Sequence, residues 1–151
     1  MKDIANDHTA RRDWMSLLAK APEGHASALL EATGIRPAFT WLRAPEVGSV
    51  MVRGRAGAVG AAFNLGEMTV TRCALTLESG EVGHAYVSGR RKRCAESAAL
   101  VDALMQTAAA DRIRAAVLGP LEHEHGARRA GRAARAAATR VDFFTMVRGE
   151  D

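Results

Sequence analysis

The sequence predicts an α+β protein in which an antiparallel β-meander is flanked by N-terminal and C-terminal helices. Apolar residues recur at helical spacing near the N-terminus, at alternating spacing between residues 38 and 88, and at helical spacing again from residue 94. The connections between the strand-like segments are too short for the crossovers that parallel strands need. With 151 residues the chain has the size of one ordinary domain, and we expect residues 1–151 to form a single domain.

The N-terminal segment is expected to form two helices. Apolar residues recur every three or four positions from Thr9 to Ala21, which predicts an amphipathic helix with Thr9 as its cap. Pro22 suits the first position of a second, short helix, and Gly34 suits the position that ends it. The chain therefore is expected to open as a helical hairpin.

The β-meander is predicted from four runs of strand-forming residues separated by turn-like segments. The runs are "FTWLR", "SVMVRGR", "MTVTRCALTL" and "VGHAYVSG", and the turns are "PEVG", "GRAGAVG" and "ESGE". The glycines of "GRAGAVG" match no nucleotide-binding motif, so a hairpin loop is favoured over an anion-binding nest. The short "ESG" connection is typical of a tight β-hairpin.

Two further helices are predicted after the meander. The segment Cys94 to Ala109 has one apolar face and a polar face that includes Glu96 and Asp102. Gly119 and Pro120 are expected to interrupt the helical pattern. A second helix is predicted from Ala127 to Arg140, a run that is rich in Ala and Arg and has almost no large apolar side chain to bury. The tail "TRVDFFTMVRGED" is unusually apolar, so we expect Val141, Phe143, Phe144 and Met146 to pack in an interface.

Composition and charge favour some classes of function over others. Lys and Arg number 21 against 17 acidic residues, a net charge of +4 that favours an anionic partner only mildly. Aromatic residues are not interleaved with the cations as in a nucleic-acid interface. The sequence shows neither a signal peptide nor a membrane span, and its two cysteines have no ligand spacing. We expect a cytoplasmic protein with free thiols, bound to neither membrane nor nucleic acid.

The segment "VSGRRKRCAESAAL" places four consecutive cations between a strand end and a helix start. Free amides and the positive end of the helix dipole favour an anion at such a position. Because consecutive side chains point in different directions, only two of the four can face one ligand. Arg90 and Lys92 are the candidate contact for an anion or a partner, whereas Arg91 and Arg93 are expected to be solvated.

Arg72 is a second candidate, because alternation in "TVTRC" places it in mid-strand among apolar neighbours. A charge there needs either an anionic ligand or an ion pair with an acidic residue such as Asp142. Both alternatives remain open from the sequence.

No catalytic residue, metal site or cofactor is predicted. Neither Cys73 nor Cys94 has a base that the sequence can assign to it, as a nucleophile requires. The histidines of "LEHEHG", His123 and His125, diverge if the segment is helical, so a solvated turn is favoured over a metal site.

The segments "RRDWMSLLA", "FNLGEMTVTRCAL", "GHAYVSGRRKRCAESAALVDALMQ" and "TRVDFFTMVRGE" resemble the PhnG family, whose members are subunits of the bacterial carbon-phosphorus lyase core complex. The resemblance runs from about Arg11 to Glu150, with the segments in family order. Its most distinctive parts are Gly89 to Gln106 and Thr139 to Gly149, and the second part includes Arg148 as a further candidate contact.

This resemblance implies a role in the breakdown of organophosphonates. With PhnH, PhnI and PhnL, the family supports the displacement of adenine from ATP by methylphosphonate, giving ribose 1-methylphosphonate 5-triphosphate. The resemblance also implies a two-fold symmetric hetero-oligomer with PhnI, PhnH and PhnJ, which PhnL joins transiently, and a non-catalytic role for this chain. The alternatives are a small Arg-rich nucleic-acid-binding module and an enzyme that acts alone.

Overall fold

The computed structural model describes residues 2–57 and 59–140, and it confirms the α+β class. The helices are α1 (Lys2–Ala19), α2 (His25–Ala32), α3 (Lys92–Leu104), α4 (Ala110–Ile113) and α5 (Gly119–Ala138), with a π-helical turn at Arg114–Leu118 between α4 and α5. The strands are β1 (Phe39–Arg55), β2 (Ala62–Leu77) and β3 (Val82–Ser88). They form one antiparallel sheet in the order β1-β2-β3.

The two helices at the N-terminus are confirmed, but both pack on α3 and not mainly on each other as a hairpin would. Two of their boundaries also differ from the prediction. α1 begins at Lys2, so Thr9 lies inside the helix and not at its cap. α2 begins at His25 after Gly24, whose φ of 75° turns the chain, and Pro22 lies in the preceding turn. Gly34, with φ 70°, follows the end of α2 as predicted.

The meander has three strands and not the four that the sequence suggested. The segment "PEVG" lies inside β1, where the pairing with β2 shifts register between Arg43 and Glu46. Pro45 has no N–H to donate to a ladder, and an edge strand accommodates this with a bulge. The "ESG" hairpin is confirmed by the hydrogen bond of 3.0 Å that the N–H of Gly80 donates to the carbonyl of Leu77.

The core lies between one face of the sheet and the helices. Its sheet residues are Cys73, Leu75, Leu77, Ala85 and Val87, and the helices contribute Trp14, Leu18, Leu30, Val101, Leu104 and Leu121 among others. α3 packs on β2 and β3, while the alternating residues of the opposite sheet face, such as Tyr86, stay exposed. Most of β3 therefore has one buried and one open face.

The C-terminal helices differ from the prediction in their ends. α3 ends at Leu104 because the hydroxyl of Thr107 donates to the Leu104 carbonyl and accepts from the Ala109 amide. Gly119 and Pro120 begin α5 and do not interrupt it, since a proline in the first turn lacks only an amide that has no partner there. In α5 only Leu121 is buried. No described helix is both long and apolar enough to cross a membrane.

Candidate functional site

The turn between β3 and α3 carries the run of cations, and hydrogen bonds to residues of β2 hold its backbone. Gly89 has φ 82°, a conformation that favours glycine. Its amide donates to the carbonyl of Thr69 at 2.8 Å. The hydroxyl of the fully buried Thr71 donates to the Gly89 carbonyl at 2.6 Å and accepts from the Arg91 amide at 3.0 Å. The backbone from Gly89 to Arg91 is therefore held in place.

Arg91 is not solvated as predicted, because its guanidinium binds the backbone around the turn. Nε donates to the Ser88 carbonyl at 2.8 Å and Nη2 to the Ser88 hydroxyl at 3.1 Å. Nη1 also reaches the carbonyl of Ala21, at 3.4 Å. The side chain thus links the end of β3 to the turn that follows α1, a contact between residues that are far apart in sequence.

Arg90 and Lys92 are exposed and line an open groove of about 600 Å³. The opposite wall belongs to α2 and the turn before it, with Glu23 and Glu31. α3 begins at Lys92, one of the groove residues, and no side chain caps its first turn. The groove can receive a small anion or an acidic side chain.

The charge of this groove is mixed. Arg93, which is 87% exposed, has its Nη2 4.0 Å from a carboxylate oxygen of Glu31. The exposure of Arg93 agrees with the prediction that it is solvated. The two glutamates offset part of the cationic potential of Arg90 and Lys92, so an anion would be held by close contacts and not by a strong field.

Arg72 lies on the opposite face of the sheet from this groove. Its Nε donates to Glu46 at 2.7 Å, and Arg43 lies 3.4 Å from the same carboxylate oxygen. The side chain of Arg72 is 49% exposed, so solvent reaches it although it lies in mid-strand. The structure thus supplies an acidic partner for Arg72 and does not bring it to the Gly89 turn.

The two thiols have different surroundings. Cys73 is in the core, and burial, followed by the nearby charge of Glu96, raises its pKa from 9.0 to about 11. A thiol with this pKa stays protonated at neutral pH and is a poor nucleophile. Cys94 is half-buried in the wall of the groove.

The histidines of "LEHEHG" lie within α5, and not in a turn. Glu124 contacts His25 of α2, with 2.6 Å between Oε2 and Nδ1, and Arg128 at 3.9 Å. Within residues 2–57 and 59–140, no three His, Cys, Asp or Glu side chains come together as metal ligands would. His25 and Glu124 therefore connect α2 to α5.

The predicted contacts of the C-terminal tail lie outside the described residues. These are Val141, Phe143, Phe144, Met146 and Arg148, together with the suggested ion-pair partner Asp142.

The carboxylate of Asp102 is buried and accepts four hydrogen bonds from three parts of the fold. The helical pattern had predicted that Asp102 lies on a polar face of its helix. Asp102 has no exposed surface. One of its oxygens accepts from Nε of Arg11 at 3.1 Å and from the indole of Trp14 at 2.9 Å. The other accepts from Nη2 of Arg11 at 2.7 Å and from the His84 amide at 2.9 Å. Asp102 thus joins α1, β3 and α3.

The helical pattern did not predict that Asp102 is buried, because an aspartate is assigned to the polar face of a helix whatever its partners are. A signal was nevertheless present, since Arg11 and Trp14 lie in "RRDWMSLLA" and Asp102 in "GRRKRCAESAALVDALMQ", two of the segments that carry the family resemblance. These segments therefore hold the fold together as well as forming the Gly89 turn.

Comparisons with known proteins agree with the resemblance. The family model described as phosphonate metabolism protein PhnG matches residues 9–149. A protein of Rhizobium meliloti (strain 1021), described as alpha-D-ribose 1-methylphosphonate 5-triphosphate synthase subunit PhnG, is 47% identical over 145 residues, which cover 93% of this chain and 90% of that protein. The chain therefore belongs to the PhnG family of phosphonate metabolism proteins.

Proposed function

We propose that this chain is the PhnG-type subunit of an α-D-ribose 1-methylphosphonate 5-triphosphate synthase. The observation that carries the proposal is the 47% identity with a subunit of that name over nearly the whole of both chains. The reaction displaces adenine from ATP by methylphosphonate and serves the breakdown of organophosphonates. The cytoplasmic location expected from the sequence is part of the same proposal.

The role of the chain within the complex is binding and not catalysis. This part of the proposal is supported by the state of Cys73, a buried thiol that stays protonated at neutral pH. It is also supported by α5, a helix of 20 residues with one buried side chain. A helix with so little to bury gains its stability from a partner.

The partners we propose are PhnI, PhnH and PhnJ in a two-fold symmetric hetero-oligomer, with PhnL bound transiently. Arg90 and Lys92 would meet either a phosphate group of the substrate or an acidic side chain of a companion subunit, since both present oxygens to the open first turn of α3. Arg72 and Arg148 are the further candidate contacts. The apolar tail residues would contribute to one of the subunit interfaces.

Co-expression with the companion subunits tests this proposal. A tag on PhnI should retain this chain through size-exclusion chromatography, and intact-mass spectrometry should give equal numbers of the two chains. Arg90→Ala combined with Lys92→Ala should then lower one of two quantities. A loss of adenine release by an intact complex would indicate a substrate contact, and a loss of retention of this chain on PhnI would indicate a partner contact.

Two results would contradict the proposal. One is a chain that never co-purifies with the companion subunits and binds DNA with a steep dependence on salt, as a nucleic-acid-binding module would. The other is adenine release by the purified chain alone, which would make it an enzyme in its own right.

A further inference from the structure

The inner parts of β1 and β2 form a hairpin arm, defined as Val47–Arg55 with Ala62–Thr69. β3 pairs with β2 only from Val70 onward, so the arm lacks a third strand and both of its edges are free of described strands. None of its residues is buried. The arm therefore extends beyond the part of the sheet that the helices cover.

One face of the arm is apolar. Residues directly opposite each other in an antiparallel pair share a face, and Val50 opposes Met68. Gly54 marks the same face, because a Cβ built on it would lie 3.6 Å from Phe63 and 3.7 Å from Leu65. Phe63, Leu65 and Met68 are 44%, 65% and 45% exposed. A soluble chain rarely leaves such a continuous face uncovered.

The other face of the arm becomes basic toward the tip. Arg53 opposes Asn64 and Arg55 opposes Ala62, so the two guanidinium groups have no carboxylate directly across from them. Arg55 donates to the carbonyl of Gly60 at 3.2 Å. Among the described residues, Arg53 has neither an ion pair nor a side-chain hydrogen bond. Glu67, the acidic residue of the arm, opposes Met51.

The outer edge of β1 carries no charged residue from Val47 to Val52, whereas Arg53 and Arg55 follow and the pairing with β2 shifts register between Val52 and Arg53. Nine residues extend over about 26 Å at the usual rise of a strand. No lysine or proline occurs between Val47 and Arg55, although Val, Met and Gly do. An exposed, long and apolar edge is a site of aggregation unless another chain covers it.

We propose that this edge of β1, from Val47 to Arg55, accepts an extended strand of a companion subunit by β-sheet addition. The added strand would alternate apolar residues, which extend the face of Val50 and Val52, with acidic residues, which meet Arg53 and Arg55. Main-chain hydrogen bonds would provide much of the affinity. The alternation of apolar and acidic residues would determine the register of the added strand against β1. The proposal rests on the proposed function, because it takes the partner from the same complex.

A second copy of this chain fits the edge less well. If two copies paired antiparallel about Met51, Arg53 would face Ser49 and Arg55 would face Val47. Neither position supplies a carboxylate, so the cations at the tip would remain without a counter-charge. An acidic strand from a different subunit satisfies them.

The test uses the co-expressed complex. Arg53→Glu combined with Arg55→Glu should weaken retention of one companion subunit by about tenfold or more, as reversal of paired interface charges does. Arg12→Glu combined with Arg36→Glu is the matched control, because it changes the net charge equally at two other exposed positions, and it should leave retention unchanged. Circular dichroism of both purified variants checks that they fold.

Hydrogen–deuterium exchange tests the edge itself without any substitution. The amides within residues 47–55 that face away from β2 should exchange at least about tenfold more slowly in the complex than in the free chain. Equal exchange rates would overturn the proposal, as would full retention of every companion by the Arg53 and Arg55 variant. Protection of residues 47–55 in a dimer of the free chain would also overturn it, in favour of a second copy. Absence of any complex with the wild-type chain would instead refute the proposed function.

Discussion

Replacement of Asp102 by asparagine should destabilise the chain strongly, although the two side chains have nearly the same shape. Each carboxylate oxygen of Asp102 accepts two hydrogen bonds. One oxygen accepts from Arg11 and Trp14, and the other accepts from Arg11 and the His84 amide. An asparagine keeps one acceptor oxygen and replaces the other by an NH₂ group, which can only donate. Two donors would therefore face a donor at a side chain that solvent does not reach, and the guanidinium of Arg11, which is 30% exposed, would lose its counter-charge.

The magnitude follows from these losses. Each buried donor left without an acceptor costs about 1–3 kcal/mol, and breaking a buried ion pair on one side costs about 3–5 kcal/mol in total. The two costs cannot simply be added, because Arg11 is both one of the donors that lose an acceptor and the cation of the ion pair. We expect a loss of about 4 kcal/mol in the free energy of unfolding, within the range for a broken buried pair.

Urea unfolding of the purified full-length chain, followed by circular dichroism, measures this loss as a shift of the midpoint at constant slope. Asp13→Asn is the matched control, since Asp13 is 71% exposed and lies 3.9 Å from Arg12. It should change stability by no more than about 0.5 kcal/mol. An Asp102→Asn variant that is also within this range would refute the role assigned to the buried carboxylate.

Three other predictions concern stability and can be measured by the same unfolding experiment. Gly83→Ala should lower the unfolding free energy by about 3 kcal/mol, because a Cβ at this position would overlap the Ala99 carbonyl oxygen where α3 packs on β3; an unchanged midpoint would contradict this packing. Gly131→Ala, with open space around its Cβ on α5, should instead raise stability by up to about 1 kcal/mol, and a loss would show that the helix is not formed there. Burial raises the pKa of Cys73 from 9.0 to about 11, so the unfolded thiol loses its proton first as the pH rises. Relative to Cys73→Ala, the native chain should therefore lose up to about 2 kcal/mol between pH 9 and pH 11, and parallel pH profiles would contradict the raised pKa.

The order of helices and strands could be predicted from the sequence because it depends on local patterns. Gly34 and Gly80 occupy the turns expected of them, and both have positive φ. Apolar periodicity also located the two-helix start and the helix after the sheet. The prediction of a turn at Pro45 was wrong, because a proline is compatible either with a turn or with a bulge in an edge strand. In the structure Pro45 lies within β1, where the pairing shifts register.

The roles of individual charged residues could not be predicted, because they depend on partners distant in sequence. Arg91 binds the Ala21 carbonyl, and Asp102 binds Arg11, contacts that span 70 and 91 residues. A helical period places Asp102 on a polar face and carries no information that a cation from α1 reaches it. The candidate contact of Arg90 and Lys92 rests on the turn geometry, to which the sequence pointed through Gly89.

The hairpin arm could not be predicted from the sequence patterns either. Alternation in β1 and β2 predicts strands, but it does not indicate how far the third strand extends. β3 has 7 residues, whereas β1 and β2 have 17 and 16, and this difference in length leaves the arm without a neighbour.

Adenine release tests the central claim, that this chain is a required binding subunit and not the catalyst. ATP and methylphosphonate would be supplied to the companion subunits with this chain, to the companion subunits without it, and to this chain alone. We expect sustained adenine release only from the first mixture. Release by this chain alone, or undiminished release by the companions in its absence, would contradict the account.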